Sequence, residues 1–395
     1  MFQSFYNGLS GLMSFSKGLD QISNNVANMN TPGFKAKDVF YKSIGNDSGT
    51  SVSGDFLRGK QGDIRQTGNA TDLAINGNGY FVLRDGAKKY YTRAGQFTFN
   101  ENNILVDMST GYSVSGIDSK GKLIDINITN KRFLPPKPTT EIELKGNISA
   151  DGQSHIISNV AAFNVLGEDL NYSFDFSERH SIYKTEKNAE GEDVQVPTGH
   201  VGWKVTVKNE KGDVVTTGEI RYDAEGKVVD GYNSMKVDVP GTSDSEKSSI
   251  SLNFSGTTGY AAGEFSDMSA DAKDGHALSG LSKVEFNKEG SLKLTYSNGD
   301  DETLYQLALA NVNNPQQLKQ ESGSLFSASD SQTITLGRAS SGEMGKIVGN
   351  SIELANVDLA EEFAEMMIVQ RGYQSSSQVL NIANEMLETL YNSGR

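Results

Sequence analysis

The chain has 395 residues, a formal net charge of -14 and a sequence pI of about 4.9. That length suits two or three globular units, and the acidic balance argues against binding nucleic acid or anionic lipid. With no cysteine and four dispersed histidines (His155, His180, His200 and His276), disulfides and thiolate chemistry are excluded, and no catalytic, metal or cofactor site is expected.

The first residues, Met1 to Leu19, lack a positive segment followed by an apolar core, so no cleaved secretory signal is expected. No stretch approaches the ~20 apolar residues of a membrane span. Instead, Phe5, Leu12, Leu19 and Val26 recur every seven residues, beside a second column of Gly8, Phe15, Ile22 and Met29. These are heptad positions of a helix. Asn7, Ser14, Lys17 and Asn24 are expected on the opposite face. Asn30-Thr31-Pro32-Gly33 ends the pattern.

From Phe34 to about Gly68 the chain is polar and weakly patterned, and Gly49 to Gly54 reads as a loop in a connector. Strands dominate from about Asp72. Asn76-Gly77-Asn78-Gly79 is turn chemistry before the apolar run Tyr80-Phe81-Val82-Leu83. Phe97 and Phe99, Ile104 and Val106, and Ile124, Ile126 and Ile128 alternate with period 2. The prolines Pro135, Pro136 and Pro138 mark a boundary. A second set of strands follows, through Phe163 and Val165, Phe174 and Phe176, Trp203, Val205 and Val207, then Met235, Val237 and Val239 before a Pro240-Gly241 turn, and finally Ile250, Leu252 and Phe254. The turn spacing predicts a sandwich or barrel. Gly275 to Gly280 marks a second boundary, and Asn298-Gly299 sits between strand-like runs as a hairpin signal.

The C-terminal end mirrors the first. Leu359, Met366, Tyr373, Leu380 and Leu387 form one seven-residue column. Val369, Ala383 and Leu390 form another, with Glu362 and Ser376 as its polar members. Asp358 followed by Glu361 makes a capping-box-like start. Each end alone is a marginal helix in water, so both are expected to be largely disordered in the monomer and to order on assembly. The fold class expected is mainly β with α-helical coiled-coil termini and nested β domains. Its divisions are terminal helices (1–33 plus 356–395), connector (34–71 plus 325–355), first β domain (72–144 plus 278–324) and inserted outer β domain (145–277).

Asp107, Asp125, Asp223 and Asp230 lie beside turns, where aspartate is ordinarily turn chemistry rather than half of a catalytic pair. The run Asp223 to Asp230 lacks the calcium-loop spacing. Trp203, at strand spacing with Val205 and Val207, is a core residue by pattern.

Five segments, in order along the chain, carry a resemblance. Asn24-Asn25-Val26-Ala27-Asn28-Met29-Asn30-Thr31-Pro32-Gly33-Phe34-Lys35 resembles the N-terminal signature of the bacterial flagellar axial family of rod, hook and hook-associated proteins. Thr67 to Gly77 and Tyr91-Thr92-Arg93-Ala94-Gly95-Gln96-Phe97 are similar to its rod and hook branch. Leu354-Ala355-Asn356-Val357-Asp358-Leu359 and Gln370-Arg371-Gly372-Tyr373-Gln374 resemble its C-terminal signature. The large insertion and Tyr296-Ser297-Asn298-Gly299 are similar to hook members, with a distal rod subunit as the alternative and a secreted β-rich adhesin behind it. The resemblance implies a non-enzymatic subunit of a curved tube that transmits torque from rod to filament. It implies an extracellular place in the hook and basal body, export by the flagellar type III apparatus, and no cofactor. The implied partners are further copies of the chain and the rod, hook-cap and hook–filament junction proteins, with no nucleic acid and no membrane insertion. Polymerisation is then expected to run through Phe5, Leu12, Phe15, Leu19, Ile22, Val26, Leu359, Met366, Val369, Tyr373, Leu380, Ala383, Leu387 and Leu390. The signature positions are Asn25, Ala27, Asn28, Thr31, Gly33, Phe34, Asn356, Asp358, Gln370 and Arg371.

Overall fold

A computed structural model describes residues 2–45, 49–118, 120–188, 192–239, 248–328 and 334–393. The Pro240-Gly241 turn and the last two residues lie outside them. The chain divides into two units: Met1–Lys131, Ser282–Thr295 and Asp300–Arg395 form the first, Arg132–Leu281 and Tyr296–Gly299 the second.

The first unit is closed by its two ends. Helix α1 spans Phe2–Ala27 and helix α2 spans Leu359–Ser393. Asp358 starts α2, its Oδ1 accepting from the backbone N–H groups of Ala360 and Glu361 at 2.9 and 3.3 Å. That satisfies two of the donors a helix start leaves open. The two ends are helices that pack on one another within the chain, each covering the other's buried column.

The polar stretch after Phe34 also differs from the expected connector. Lys37–Ser43 (β1) and Thr50–Leu57 (β2) form an antiparallel hairpin, so the supposed loop from Gly49 to Gly54 is largely strand. It is anchored on α1: Ser14 Oγ donates to the Thr50 carbonyl at 3.1 Å, and Thr50 N–H donates to Ser10 Oγ at 3.2 Å. Ser14 is therefore buried rather than on an outer face. A polar strand is held here by backbone pairing and a helix, neither of which leaves a hydrophobic period in the sequence.

The β body of the first unit is nested. Tyr80–Asp85, a buried run, pairs with Lys88–Thr92, with Ser113–Ile117 and, across the chain, with Asp301–Val312. Leu73–Asn76 pairs with Lys346–Gly349, and Ile64–Gln66 with Ser351–Glu353. Early and late segments are thereby tied strand to strand. Tyr80, Val82, Tyr91, Ala308, Ala310 and Phe326 form one core cluster.

The second unit is a β sandwich. One sheet orders Ser234–Val239, Ser248–Thr258, Glu141–Asn147 and Ser269–Ala272, and the other orders His155–Phe163, Asp169–Lys187, Asp193–Lys208 and Val214–Tyr222. A single core takes Ile142, Leu144, Leu252 and Phe254 from the first sheet and Phe174, Phe176, Trp203 and Val205 from the second. The unit is wider than the expected 145–277. Glu141–Asn147 runs parallel to Ser248–Thr258, which places residues before 145 in this sandwich.

Candidate assembly surface

The α1–α2 pair is antiparallel and its contact is made of small residues. A Cβ placed on Gly8 would lie 3.0 Å from Leu380 Cγ, one on Gly11 2.6 Å from Ser376 Oγ, and one on Gly18 3.3 Å from Val369 Cγ1. A Cβ on Gly372 would come within 2.7–2.9 Å of the Phe15 ring. Small side chains let helix backbones approach closely, as ridges settle into shallow grooves. The buried column of α2 is Glu362, Val369 and Ala383, with Ser376 half-buried between them. In α1 the buried face is Gly8, Gly11, Ser14, Gly18, Ile22 and Asn25.

The expected polymerisation residues divide accordingly. Ile22, Val369 and Ala383 are buried in the seam. Leu12, Phe15, Leu19, Val26, Leu359, Met366, Leu380 and Leu387 are half-buried along its flanks. Phe5, Tyr373 and Leu390 are exposed. Of the two columns read from the pattern, Gly8 and Ile22 of the second are buried, while the place of Phe5, Leu12, Leu19 and Val26 is taken by Gly11, Gly18 and Asn25, because glycine admits closer contact than leucine.

One end of the seam is polar. Asn25 Nδ2 donates to Glu362 Oε2 at 3.1 Å and to the Lys37 carbonyl at 2.9 Å, and Asn25 Oδ1 accepts from Lys37 N–H at 3.1 Å. Arg58, just after β2, faces four carboxylates: Asp38 Oδ1 at 2.7 Å, Glu362 Oε1 at 2.8 Å, Glu361 Oε2 at 3.6 Å and Glu365 Oε2 at 3.8 Å. Burial opposes the charge of Arg58, but Asp38, Glu362 and Glu361 outweigh it and hold its pKa above the ordinary value. Burial, then the neighbouring Asp38 and Glu362 carboxylates, push Glu365 upward.

The remaining signature residues secure the junction of helices and sheet. Phe34 is buried. Gly33 has φ +69, and its N–H donates to the Glu353 carbonyl at 2.8 Å. Thr31 Oγ1 donates to Asn28 Oδ1 at 3.2 Å. Asn356 accepts from Ala36 N–H at 2.7 Å and donates to the carbonyls of Arg58 and Lys60. Ala27, Asp358, Gln370 and Arg371 are exposed.

Sequence reasoning missed a buried triad. Glu353, fully buried, takes Lys35 Nζ at 2.7 Å and Arg93 Nη1 at 3.1 Å, and its Oε1 also accepts Gly62 N–H at 3.1 Å. Burial, with the Arg93 charge behind it, lowers the pKa of Lys35 against the pull of Glu353. The only hint in the sequence is a lysine between Phe34 and Ala36, both buried.

Outside the seam, α2 leaves apolar side chains uncovered. Phe363, Met367, Ile368, Val379, Ile382 and Met386 are all exposed, Ile368 to 71%, and Leu390, next in the seam column after Ala383, is exposed at the end of α2. A helix face this apolar marks an interaction surface. No helix among the described residues is long and apolar enough to cross a membrane. Asp107 Oδ2 closes a turn by accepting from Ser109 Oγ, Thr110 N–H and Thr110 Oγ1. Among the described residues no three His, Asp or Glu side chains converge as a metal site would require.

Three family models match: flagella basal body rod protein at residues 5–35, flagellar hook protein FlgE/F/G D1 domain at 74–153, and flagellar basal body rod FlgEFG protein C-terminal at 348–393. Matched helical ends around a matched D1 domain define a flagellar axial protein of the rod and hook class. Full-length relatives narrow the class. The flagellar hook protein FlgE of Brucella suis is 30% identical, covering 98% of each chain. That of Escherichia coli K12 is 29% identical, covering 98% of this chain and 99% of its own. This chain belongs to the flagellar hook protein FlgE family. Among solved structures, Helicobacter pylori flagellar hook protein FlgE2 aligns with a TM-score of 0.48 at 12% identity, over 72% of this chain and 98% of that one.

Proposed function

We propose that this chain is the repeating subunit of a bacterial flagellar hook, built into a tube by its terminal helices. The observation that carries this reading is the uncovered apolar side chains of α2, from Phe363 to Met386, on a helix already paired to α1 in its own chain. Burying such side chains between neighbours yields roughly 1.5–3 kcal/mol for each one fully covered, and summed along a helix that supports a stable inner wall.

The paired helices, tied by Asn25, Glu362 and Arg58, act as one rod within each subunit. Tight packing between rods resists twist. Polar, acidic surfaces hold neighbouring subunits weakly, so their contacts yield as the tube bends. Rod, hook-cap and junction proteins meet its two ends, and the flagellar export apparatus delivers the chain to an extracellular site. The subunit carries out no chemical conversion.

Deleting the gene and imaging isolated basal bodies by electron microscopy tests the reading. A complete rod with no hook is the expected result. A truncated rod would make the chain a distal rod subunit, and intact flagella would contradict both.

A further inference from the structure

A groove of about 240 Å³ opens between the first half of α1 and the β1–β2 hairpin. Tyr6, Leu9 and Met13 line it from the helix, and Ile44 and Val52 from the hairpin side. Among the described residues, Lys17 is the one charged side chain on its wall. Ser10, Ser14, Thr50 and Ser51 complete the lining, and Tyr6, Leu9 and Met13 are exposed, so the apolar part of the wall is open.

The same chain carries a segment of matching character. In the antiparallel seam Asn25 faces Glu362, Gly18 faces Val369 and Gly11 faces Ser376. Continuing that register sets Ala383, the last buried residue of α2, opposite the first turn of α1. The ten residues that follow, 384–393, run past the start of α1, about 15 Å at 1.5 Å per residue. They present Met386 and Leu390 to solvent together with Glu385 and Glu388, and no basic side chain.

We propose that this groove receives the projecting end of α2 from a second copy of the chain, Met386 and Leu390 seating on Leu9 and Met13 while Glu385 and Glu388 face Lys17. The proposal rests on the hook-subunit reading and adds which surfaces meet. Three observations favour a second copy over other occupants: the apolar character of both surfaces, their opposite charge, and the projection of the segment away from its own helix pair. Its own groove is out of reach. Met13 lies near the level of Ser376, so Leu390 of the same chain is some fourteen residues further along α2, about 20 Å.

The chain has no cysteine, so Leu390→Cys creates a unique thiol for a benzophenone photocrosslinker. The labelled full-length chain is doped into an excess of isotopically labelled unmodified chain, polymer is grown and irradiated, and cross-linked peptides are read by mass spectrometry. Doping keeps the polymer intact even if the label is imperfectly tolerated. The expected cross-links join residue 390 to peptides of the labelled neighbour containing Tyr6–Lys17 or Ile44–Val52. Cross-links to α2 of the neighbour, to β strands, or to the same chain would overturn the proposal while leaving the hook reading intact. If unmodified chain forms no polymer at all, the hook reading itself has failed and the groove proposal falls with it.

Discussion

Asn25 and Glu362 stand 337 positions apart in sequence and meet inside the helix seam at 3.1 Å. Glu362 is fully buried, and Arg58 supplies its countercharge at 2.8 Å. The N-terminal helix, the hairpin and the C-terminal helix are thus joined at one carboxylate. Without the Glu362 carboxylate Arg58 keeps Asp38 at 2.7 Å, but the buried Asn25 amide loses its partner on α2, and a buried polar group left unpaired costs about 1–3 kcal/mol. Glu362→Ala is expected to free α2 from α1 while the β units stay folded. Limited proteolysis checks this: early loss of the C-terminal helix with a stable β fragment is expected, and wild-type protection of α2 would contradict it.

The close approach at Gly372 separates helix propensity from packing. Gly372→Ala adds about 1 kcal/mol of intrinsic helicity, yet its Cβ would sit within 2.9 Å of the Phe15 ring. Overpacking of that kind costs ~1–3 kcal/mol. A peptide of α2 bearing the change is expected to become more helical by circular dichroism. The intact chain is expected to lose helical signal at a lower temperature than wild type. A rise in both would mean that the helices do not meet closely at Phe15.

Gly33 carries a different constraint. Its φ of +69 suits glycine, and a Cβ there would fall 2.2 Å from the backbone N of Ala94. Backbone cannot rotate aside as a side chain can. Gly33→Ala is expected to destabilise the first unit by more than the ~1–3 kcal/mol of the strained φ alone. A lowered midpoint for the first unit in urea, with the sandwich transition unchanged, is the measurement.

Tyr222 gives the sandwich an alkaline weakness. Burial raises its pKa well above the ordinary 10.0, with the Thr257 hydroxyl at 2.9 Å drawing it slightly back. An acid whose folded pKa is raised keeps its proton longer in the folded state. Stability is therefore full below the unfolded value and is lost as pH rises above 10. Tyr222→Phe is expected to flatten that fall between pH 10 and 12, although it forfeits the Thr257 hydrogen bond at neutral pH. Urea unfolding of the sandwich at several alkaline pH values measures it, and an equally steep fall in the variant would place the titration elsewhere.

The strands of both β units were legible because period 2 survives wherever one face is buried, as at Phe174 and Phe176 or Trp203, Val205 and Val207. In α2 the column of Glu362, Val369, Ser376 and Ala383 was also readable, polar members included. In α1 the periodicity pointed to Phe5, Leu12, Leu19 and Val26 beside Gly8, Phe15, Ile22 and Met29; Gly8 and Ile22 are in the contact, but Gly11, Gly18 and Asn25 replace the first column. Small residues leave no hydrophobic signal, although their seven-residue spacing was present. The β1–β2 hairpin escaped because its stability comes from α1. The Lys35–Glu353–Arg93 triad joins residues as far as 318 positions apart, which no local pattern encodes.

The most direct test of helix-driven assembly targets side chains that the monomer does not use. Ile368 and Ile382 are exposed on α2, at 71% and 52%, away from the buried column. A strain carrying Ile368→Asp and Ile382→Asp in place of the wild-type gene is imaged for hooks on isolated basal bodies, with circular dichroism of the purified variant as the fold control. Complete rods without hooks, from a chain with wild-type secondary structure, are the expected result. Hooks of normal length would contradict assembly through the uncovered face of α2.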